Sequence, residues 1–350
     1  MDFTEFASFG IRPREGLSFE NVVPSDLQDV VVDENGARTV YMFEDTPAAR
    51  YLVQKKVGEG SYGTVFKVTQ AGNTYAIKKI VIGDADFEKR QKHFVQAFQE
   101  AIMNILLFRE SAERPGGPYV QHFFELGCNE SDGVITLFLR IEYLSRTFGQ
   151  LIASHTPARN DALVPAILKN LSTILRFFHT QFQMNHRDLK SDNIMLARTA
   201  DKKWSVRLID FGLTCLTYKG VYISSRGIFS NVPAACDKPS RDMSLLLLEL
   251  LLDFRPYFSA ALQAELEAMA VVRVATPPLE FRLNKFAAAA DFREWEDAYT
   301  FLNRENVANP HATLKAVGAR MGAFLKRGGA ATRRRRVATR QQTRRRRRRH

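Results

Sequence analysis

A short stretch, His186-Arg187-Asp188-Leu189-Lys190-Ser191-Asp192-Asn193-Ile194-Met195-Leu196, followed by Asp210-Phe211-Gly212, constrains this chain more than any other feature. It sets a carboxylate, an ammonium group and two hard oxygen donors close together along the chain. A phosphoryl group in flight is a spread anion, so its transfer depends mainly on alignment and on cations held near its oxygens. Asp188 suits the task of accepting or orienting the proton of an attacking hydroxyl, and Lys190 that of reaching the transferring phosphate. Asn193 and Asp210 are oxygen ligands of the kind Mg²⁺ takes beside substrate phosphates. The apolar residues Ile194, Met195 and Leu196, and later Val206, Leu208 and Ile209, read as short strands. The ligands then fall in connecting turns.

With these residues the chain resembles the eukaryotic-type protein kinases, and the resemblance runs from residue 51 to about residue 260. Gly58-Glu59-Gly60-Ser61-Tyr62-Gly63-Thr64-Val65 is similar to the family's glycine-rich loop, where residues without a Cβ let backbone N–H groups approach the ATP phosphates. Taken alone, such a pattern equally describes a Gly-rich hairpin. Tyr75-Ala76-Ile77-Lys78 follows on the next strand, and the resemblance makes Lys78 the clamp on the α and β phosphates. Its carboxylate partner is expected in the apolar-periodic segment 92 to 109, with Glu100 foremost and Glu88 and Glu110 as competitors. Asn104, one helical turn beyond Glu100, falls where such kinases carry an apolar residue against the Phe of Asp-Phe-Gly. The run Thr136 to Leu144 reads as a strand entering a hinge, with Ile141 as gatekeeper. By resemblance the backbones of Glu142 and Leu144 bond the adenine edge, and Val65, Ala76 and Met195 form apolar walls around the ring.

The implied fold is α+β and bilobal, a small β-rich N-lobe and a larger helical C-lobe. The corresponding divisions are an acidic N-terminal extension over 1–50, N-lobe and hinge over 51–144, C-lobe over 145–326 and a disordered Arg-rich tail over 327–350. ATP and Mg²⁺ are the implied cofactors. Lys190 is similar to the lysine of Ser/Thr-directed enzymes, tyrosine-directed ones placing Arg or Ala in that loop. Small-molecule kinases of the aminoglycoside type generally lack the His-Arg-Asp-Leu-Lys string, which favours protein substrates. Arg187 resembles an arginine that binds a phosphate on the activation segment, for which Thr214, Thr217, Ser224, Ser225 and Ser230 are candidate acceptors, with Tyr218 and Tyr222 beside them. The family's Ala-Pro-Glu is missing; Asn231-Val232-Pro233 stands nearby without a Glu. Asp242 resembles the Asp that opens the family's buried central helix and braces the catalytic loop. The leucine-rich run Leu245 to Leu252 behind it is too short to span a membrane and reads as a core helix. Further helices are expected over 254–272, 277–290, 292–304 and 308–326.

Three sparse cysteines, Cys128, Cys215 and Cys236, with no paired His spacing, carry no zinc signature. With no apolar stretch near Met1, they point to an intracellular protein. Charge adds a second theme. From Arg327 to His350 there are twelve Arg and no acid, which accounts for the whole formal +12 of the chain. The blocks Arg333 to Arg336 and Arg344 to Arg349 cannot fold by self-burial. Such a tail suits binding to nucleic acid or another polyanion by counterion release, or nuclear import. Residues 1–50 carry ten acids against four bases and read as an arm that packs only in part. Thr339 and Thr343, each with an Arg three positions before, are candidates for self-modification. Two readings remain: a Ser/Thr protein kinase docked by its tail, or a pseudokinase-like nucleic-acid-binding or virion structural protein whose tail does the work. The compact activation segment and the Arg tail are also similar to features of kinases of large DNA viruses.

Overall fold

The structure, a computed structural model, describes residues 31–32, 38–41, 50–60, 63–83, 87–131, 134–198, 204–224, 236, 241–275, 278–282 and 314–327. The chain divides into two compact units, one of residues 1–145, 196–214 and 223–230, the other of 146–195, 215–222 and 231–350.

The first unit is built on an antiparallel sheet. Its strands are β1 (Val31–Val32), β2 (Arg38–Tyr41), β3 (Arg50–Gly60), β4 (Gly63–Gln70), β5 (Asn73–Ile82), β6 (Phe123–Ser131) and β7 (Val134–Glu142), in the order β1-β2-β3-β4-β5-β7-β6. Two short strands from the acidic N-terminal stretch thus extend β3. Alternation along β4 buries Phe66 and Val68 and leaves their neighbours half-buried, as a strand with one face on a core requires. Ile77, Ile80 and Ile82 of β5 and Leu137, Phe138 and Leu139 of β7 join them. Helix α1 (Phe87–Ala112) covers this face through Ala97 and Ala101, whose small side chains suit close approach to the sheet. Strands β8 (Ile194–Arg198) and β9 (Trp204–Leu208) form a two-stranded ribbon. Leu208 bridges Val120 in parallel, its N–H donating to the Tyr119 carbonyl at 2.9 Å, which ties the chain just before Asp210 to the sheet unit.

The second unit is mainly helical. Thr147 caps α2 (Phe148–Ser154) in a reciprocal box with Gln150, and Pro157 opens α3 (Pro157–Phe182) at a position where its missing N–H costs nothing. Val164, Leu168, Leu171, Leu175 and Phe178 recur at helical spacing and are buried. Helix α4 (Arg241–Leu252) is buried on nearly every side, which explains its leucine content. Glu249 breaks that apolar run and is buried with it. Ser259 caps α5 (Ala260–Met269). A further helix, α6, covers 314–327. It is tied to α5 by Arg320 and Arg327 on Glu265. A Cβ at Gly318 would lie 2.7 Å from the Ser172 hydroxyl of α3, so a glycine is needed for this approach.

Two sequence expectations change here. Residues 277–290 were expected to be helical, yet β10 (Val271–Ala275) and β11 (Pro278–Arg282) pair as a hairpin. The β-branched run at 271–274 favours a strand, and the prolines at 277 and 278 interrupt a helix. Residues 283–313 lie outside the described residues, as do Asn231-Val232-Pro233 and the Arg-rich tail beyond 327. Cysteine counting did not anticipate the disulfide that joins Cys215 and Cys236, whose Cα atoms are 5.8 Å apart. Among the described residues no helix is long and apolar enough to cross a membrane.

Candidate active site

In the sheet unit, the Lys78 ammonium on β5 donates to both carboxylate oxygens of Glu100 on α1, at 2.7 and 2.9 Å. Asp210 stands 3.6 Å away. Burial opposes the charge on Lys78, but Asp210 and Glu100 outweigh it and hold its pKa above the ordinary lysine value. Burial pushes Glu100 up, against the pull of Lys78, and Asp210 adds to the rise. The two-oxygen geometry favours the charged pair. Of the other carboxylates weighed from sequence, Glu110 stands against Arg109 instead. Gly212 sits beside both acids: a Cβ there would meet Asp210 Oδ1 at 3.5 Å and Glu100 Oε2 at 3.6 Å. Asp210 itself adopts φ +63, a conformation unfavourable to a side-chain-bearing residue and typical of functional positions.

The glycine-rich segment forms the β3–β4 hairpin, with Gly60 opposite Gly63. Gly63 has φ +142, and a Cβ there would lie 2.3 Å from the Lys79 carbonyl oxygen. Its glycine is thus demanded by the neighbouring strand, whereas a Cβ on Gly58 would make only an ordinary 3.9 Å contact. Val65 pairs in register with Lys78, and Ala76, two residues before Lys78 on β5, pairs with Ile141. Met195 lies in the helical unit's portion of the chain, bridged to Thr147. At the hinge, the Glu142 N–H donates to the His122 carbonyl at 2.8 Å and its carbonyl accepts from the Gln121 side chain at 2.6 Å. Only the carbonyl's second lone pair is left for a ligand. Among the described residues the Leu144 backbone makes no hydrogen bond, which leaves its N–H for an adenine edge. Gln121 and His122 were not singled out from sequence. His122 stacks on Phe108 at 4.1 Å, and burial pushes its pKa down.

The helical unit holds the other chemistry. Lys190 Nζ is 3.2 Å from Asp188 Oδ2. Asn193 Nδ2 donates to the Asp188 carbonyl at 2.8 Å and to Asp188 Oδ2 at 3.0 Å. Its amide donors thus point at Asp188 while no described residue bonds its Oδ1. That leaves a hard oxygen for a cation, so Asn193 and Asp210 fit Mg²⁺ by donor chemistry. Asp242, at the start of α4, accepts the His186 and Arg187 N–H groups, both at 2.8 Å, and braces the loop from below. These bonds hold Arg187 at φ +69. The Arg187 Nε is buried with no hydrogen-bond partner among the described residues. On the activation segment Thr214 is fully buried and Tyr222 exposed, while 225–235 lie outside the described residues. A residue missed from sequence is Glu249, which accepts both hydrogen bonds that Ser191 donates; inside a leucine run its only signal was being charged where its neighbours are not.

The protein kinase domain family matches residues 51–228. Cyclin-dependent kinase D-1 of Oryza sativa subsp. indica is 30% identical over 172 residues, 47% of this chain and 35% of that protein. Cyclin-dependent kinase E-1 of Arabidopsis thaliana is 29% identical over 171 residues, 47% of this chain and 33% of that protein. Serine/threonine-protein kinase PAK mbt of Drosophila melanogaster is 24% identical over 286 residues, 78% of this chain and 39% of that protein. The matched part of the chain thus spans well under half the length of each of these relatives. On the family match and the motifs in their order, this chain belongs to the protein kinase domain family, of the eukaryotic type, with its bilobal α+β fold.

Proposed function

We propose that the protein is a Ser/Thr protein kinase that transfers the γ-phosphoryl group of ATP to hydroxyls of protein substrates. The observation that carries this reading is the Lys78–Glu100 pair with Asp210 beside it. A lysine fixed by one carboxylate and facing another is equipped to grip polyphosphate oxygens. Lys78 binds and orients the α and β phosphates, and the hairpin of Gly58, Gly60 and Gly63 lies over them. Glu142 and Leu144 receive the adenine edge, and Val65 and Ala76 are apolar walls for the ring. Asp188 accepts or orients the proton of the attacking hydroxyl, and Lys190 stabilises charge on the group in transfer. Asn193 and Asp210 each offer an oxygen donor suited to Mg²⁺, which when bound would neutralise charge on the phosphate oxygens. Lys190 and the Ser/Thr kinases among the relatives favour Ser and Thr over Tyr as acceptors.

The Arg-rich tail extends the reading: it docks the enzyme on nucleic acid or another polyanion, or directs it to the nucleus. The same tail supports a second reading, in which a pseudokinase-like protein serves a nucleic-acid or virion structural role. Phosphotransfer to basic and acidic protein substrates, with and without DNA, separates the two. Wild-type transfer that D210A abolishes, with nucleic-acid retention intact, supports the enzyme. Equal transfer by D210A sinks the mechanism, and absence of transfer by the wild type leaves the structural reading.

A further inference from the structure

A carboxylate inside an apolar helix carries a desolvation cost, so a buried one calls for a partner. Glu249 is 5% exposed, in the middle of the leucines of α4. Its Oε2 accepts the Ser191 N–H at 2.6 Å and its Oε1 the Ser191 hydroxyl at 2.7 Å. Glu249 lies two helical turns beyond Asp242, on the same face and roughly 10 Å along the axis. Asp242 grips the N–H groups of His186 and Arg187. One helix therefore holds both ends of the loop that carries Asp188 and Lys190.

Ser191 is also the first residue of the 3-10 turn Ser191–Asn193. Asn193 at the end of that turn donates its N–H to the Lys190 carbonyl at 3.0 Å and its side-chain amide back to Asp188. Displacing Ser191 would move Asn193, and with it the orientation of the Asp188 carboxylate. The seat is tight on its other side, since a Cβ on Gly149 of α2 would lie 2.7 Å from the Ser191 hydroxyl. Asp192 from the turn and Asp253 just beyond α4 are the charges that face Glu249.

We propose that Glu249, acting through Ser191, is a second positioning residue of the phosphotransfer site, setting Asn193 and Asp188 from the end of the loop opposite Asp242. The inference rests on the kinase reading. Burial pushes the Glu249 pKa up to about 7, against the pull of the Ser191 bonds, so its charge changes in the range where turnover is assayed.

The test compares wild type, E249Q, S191A and the double variant in the full chain. Turnover is followed from pH 6 to 8.5, beside amide hydrogen exchange over 189–193. E249Q, which keeps the shape of the side chain, is expected to lower kcat roughly 10- to 100-fold with KM for ATP little changed. It should also move the limb of the pH profile near 7. S191A should cause a similar loss and the double variant no more than either, the signature of one shared contact. Exchange over 189–193 should quicken in E249Q while the strands around Lys78 stay protected. Wild-type turnover and pH profile in E249Q, additive losses, or unchanged exchange over 189–193 would each overturn the proposal. Quickened exchange in a protein whose wild type transfers no phosphate upholds the brace and sinks the kinase reading alone.

Discussion

Lys78 and Glu100 are joined by two hydrogen bonds, at 2.7 and 2.9 Å, in a setting that excludes most water from both side chains. Such a pair contributes little net stability but is costly to break from one side. K78M should therefore destabilise the protein by about 3 kcal/mol, because Glu100 is left buried with Asp210 near by. The double variant K78M/E100M should recover most of that loss in chemical denaturation. Neither should transfer phosphate above background in a radiolabelled ATP assay, which separates the pair's stability role from its chemistry.

Gly63 should prove less replaceable than Gly58. At Gly63 the unusual φ and the Lys79 carbonyl oxygen leave no room for a methyl group. G63A is expected to cost about 2 kcal/mol or more in thermal unfolding. G58A should leave the unfolding midpoint close to wild type, so a drop equal to that of G63A would contradict the geometry.

Asn104 is 6% exposed on α1, and its Oδ1 has no hydrogen-bond partner among the described residues. An unsatisfied buried acceptor carries a desolvation cost of about 1–3 kcal/mol. N104L fills the same space without that group and should raise the unfolding free energy by roughly 1 kcal/mol. Urea denaturation of the two proteins side by side reads this directly; a less stable N104L would mean that the amide is satisfied in solution.

Glu249 predicts a pH dependence of stability. Its pKa is raised by burial to about 7 in the folded protein, from an ordinary value of 4.5. The folded state then binds more protons than the unfolded state between those values, so stability falls as pH rises through that window. The penalty is absent below the ordinary carboxylate range and complete above about 7, where it reaches on the order of 3 kcal/mol. Wild type should lose unfolding free energy between pH 5.5 and pH 8 relative to E249Q, and parallel pH curves for the two proteins would refute the shift.

Removing residues 328–350 should abolish salt-sensitive retention on DNA while leaving Arg327 on Glu265. Affinity of the full chain should fall steeply and linearly on a log–log plot against salt, with a slope of about −0.9 per phosphate neutralised. Equal retention of the truncated protein, measured by fluorescence anisotropy on duplexes of unrelated sequence, would remove the tail from the docking role.

Much of the site could be read along the chain because its chemistry is clustered there. Asp188, Lys190 and Asn193 occupy one short loop, and a loop's residue types and spacing survive as a legible pattern whatever surrounds it. The hairpin of Gly58 to Val65 and the periodic segment that becomes α1 are local features of the same kind. Where sequence reasoning expected a helix near 277, β-branched residues and prolines gave a hairpin, a local signal outweighed by the composition of the longer segment.

Sequence by itself determined the kinase motifs, their order and the residue types that suit phosphates and Mg²⁺, because each depends on neighbours along the chain. Only the tertiary structure decided that Glu100 rather than Glu110 meets Lys78, that Gly63 answers to Lys79 on the next strand, and that Glu249 reaches Ser191 across 58 positions of sequence. Those choices are made by packing: a side chain's partner is whichever group the fold brings within hydrogen-bonding distance while water is excluded, and distance in space is not written in distance along the chain.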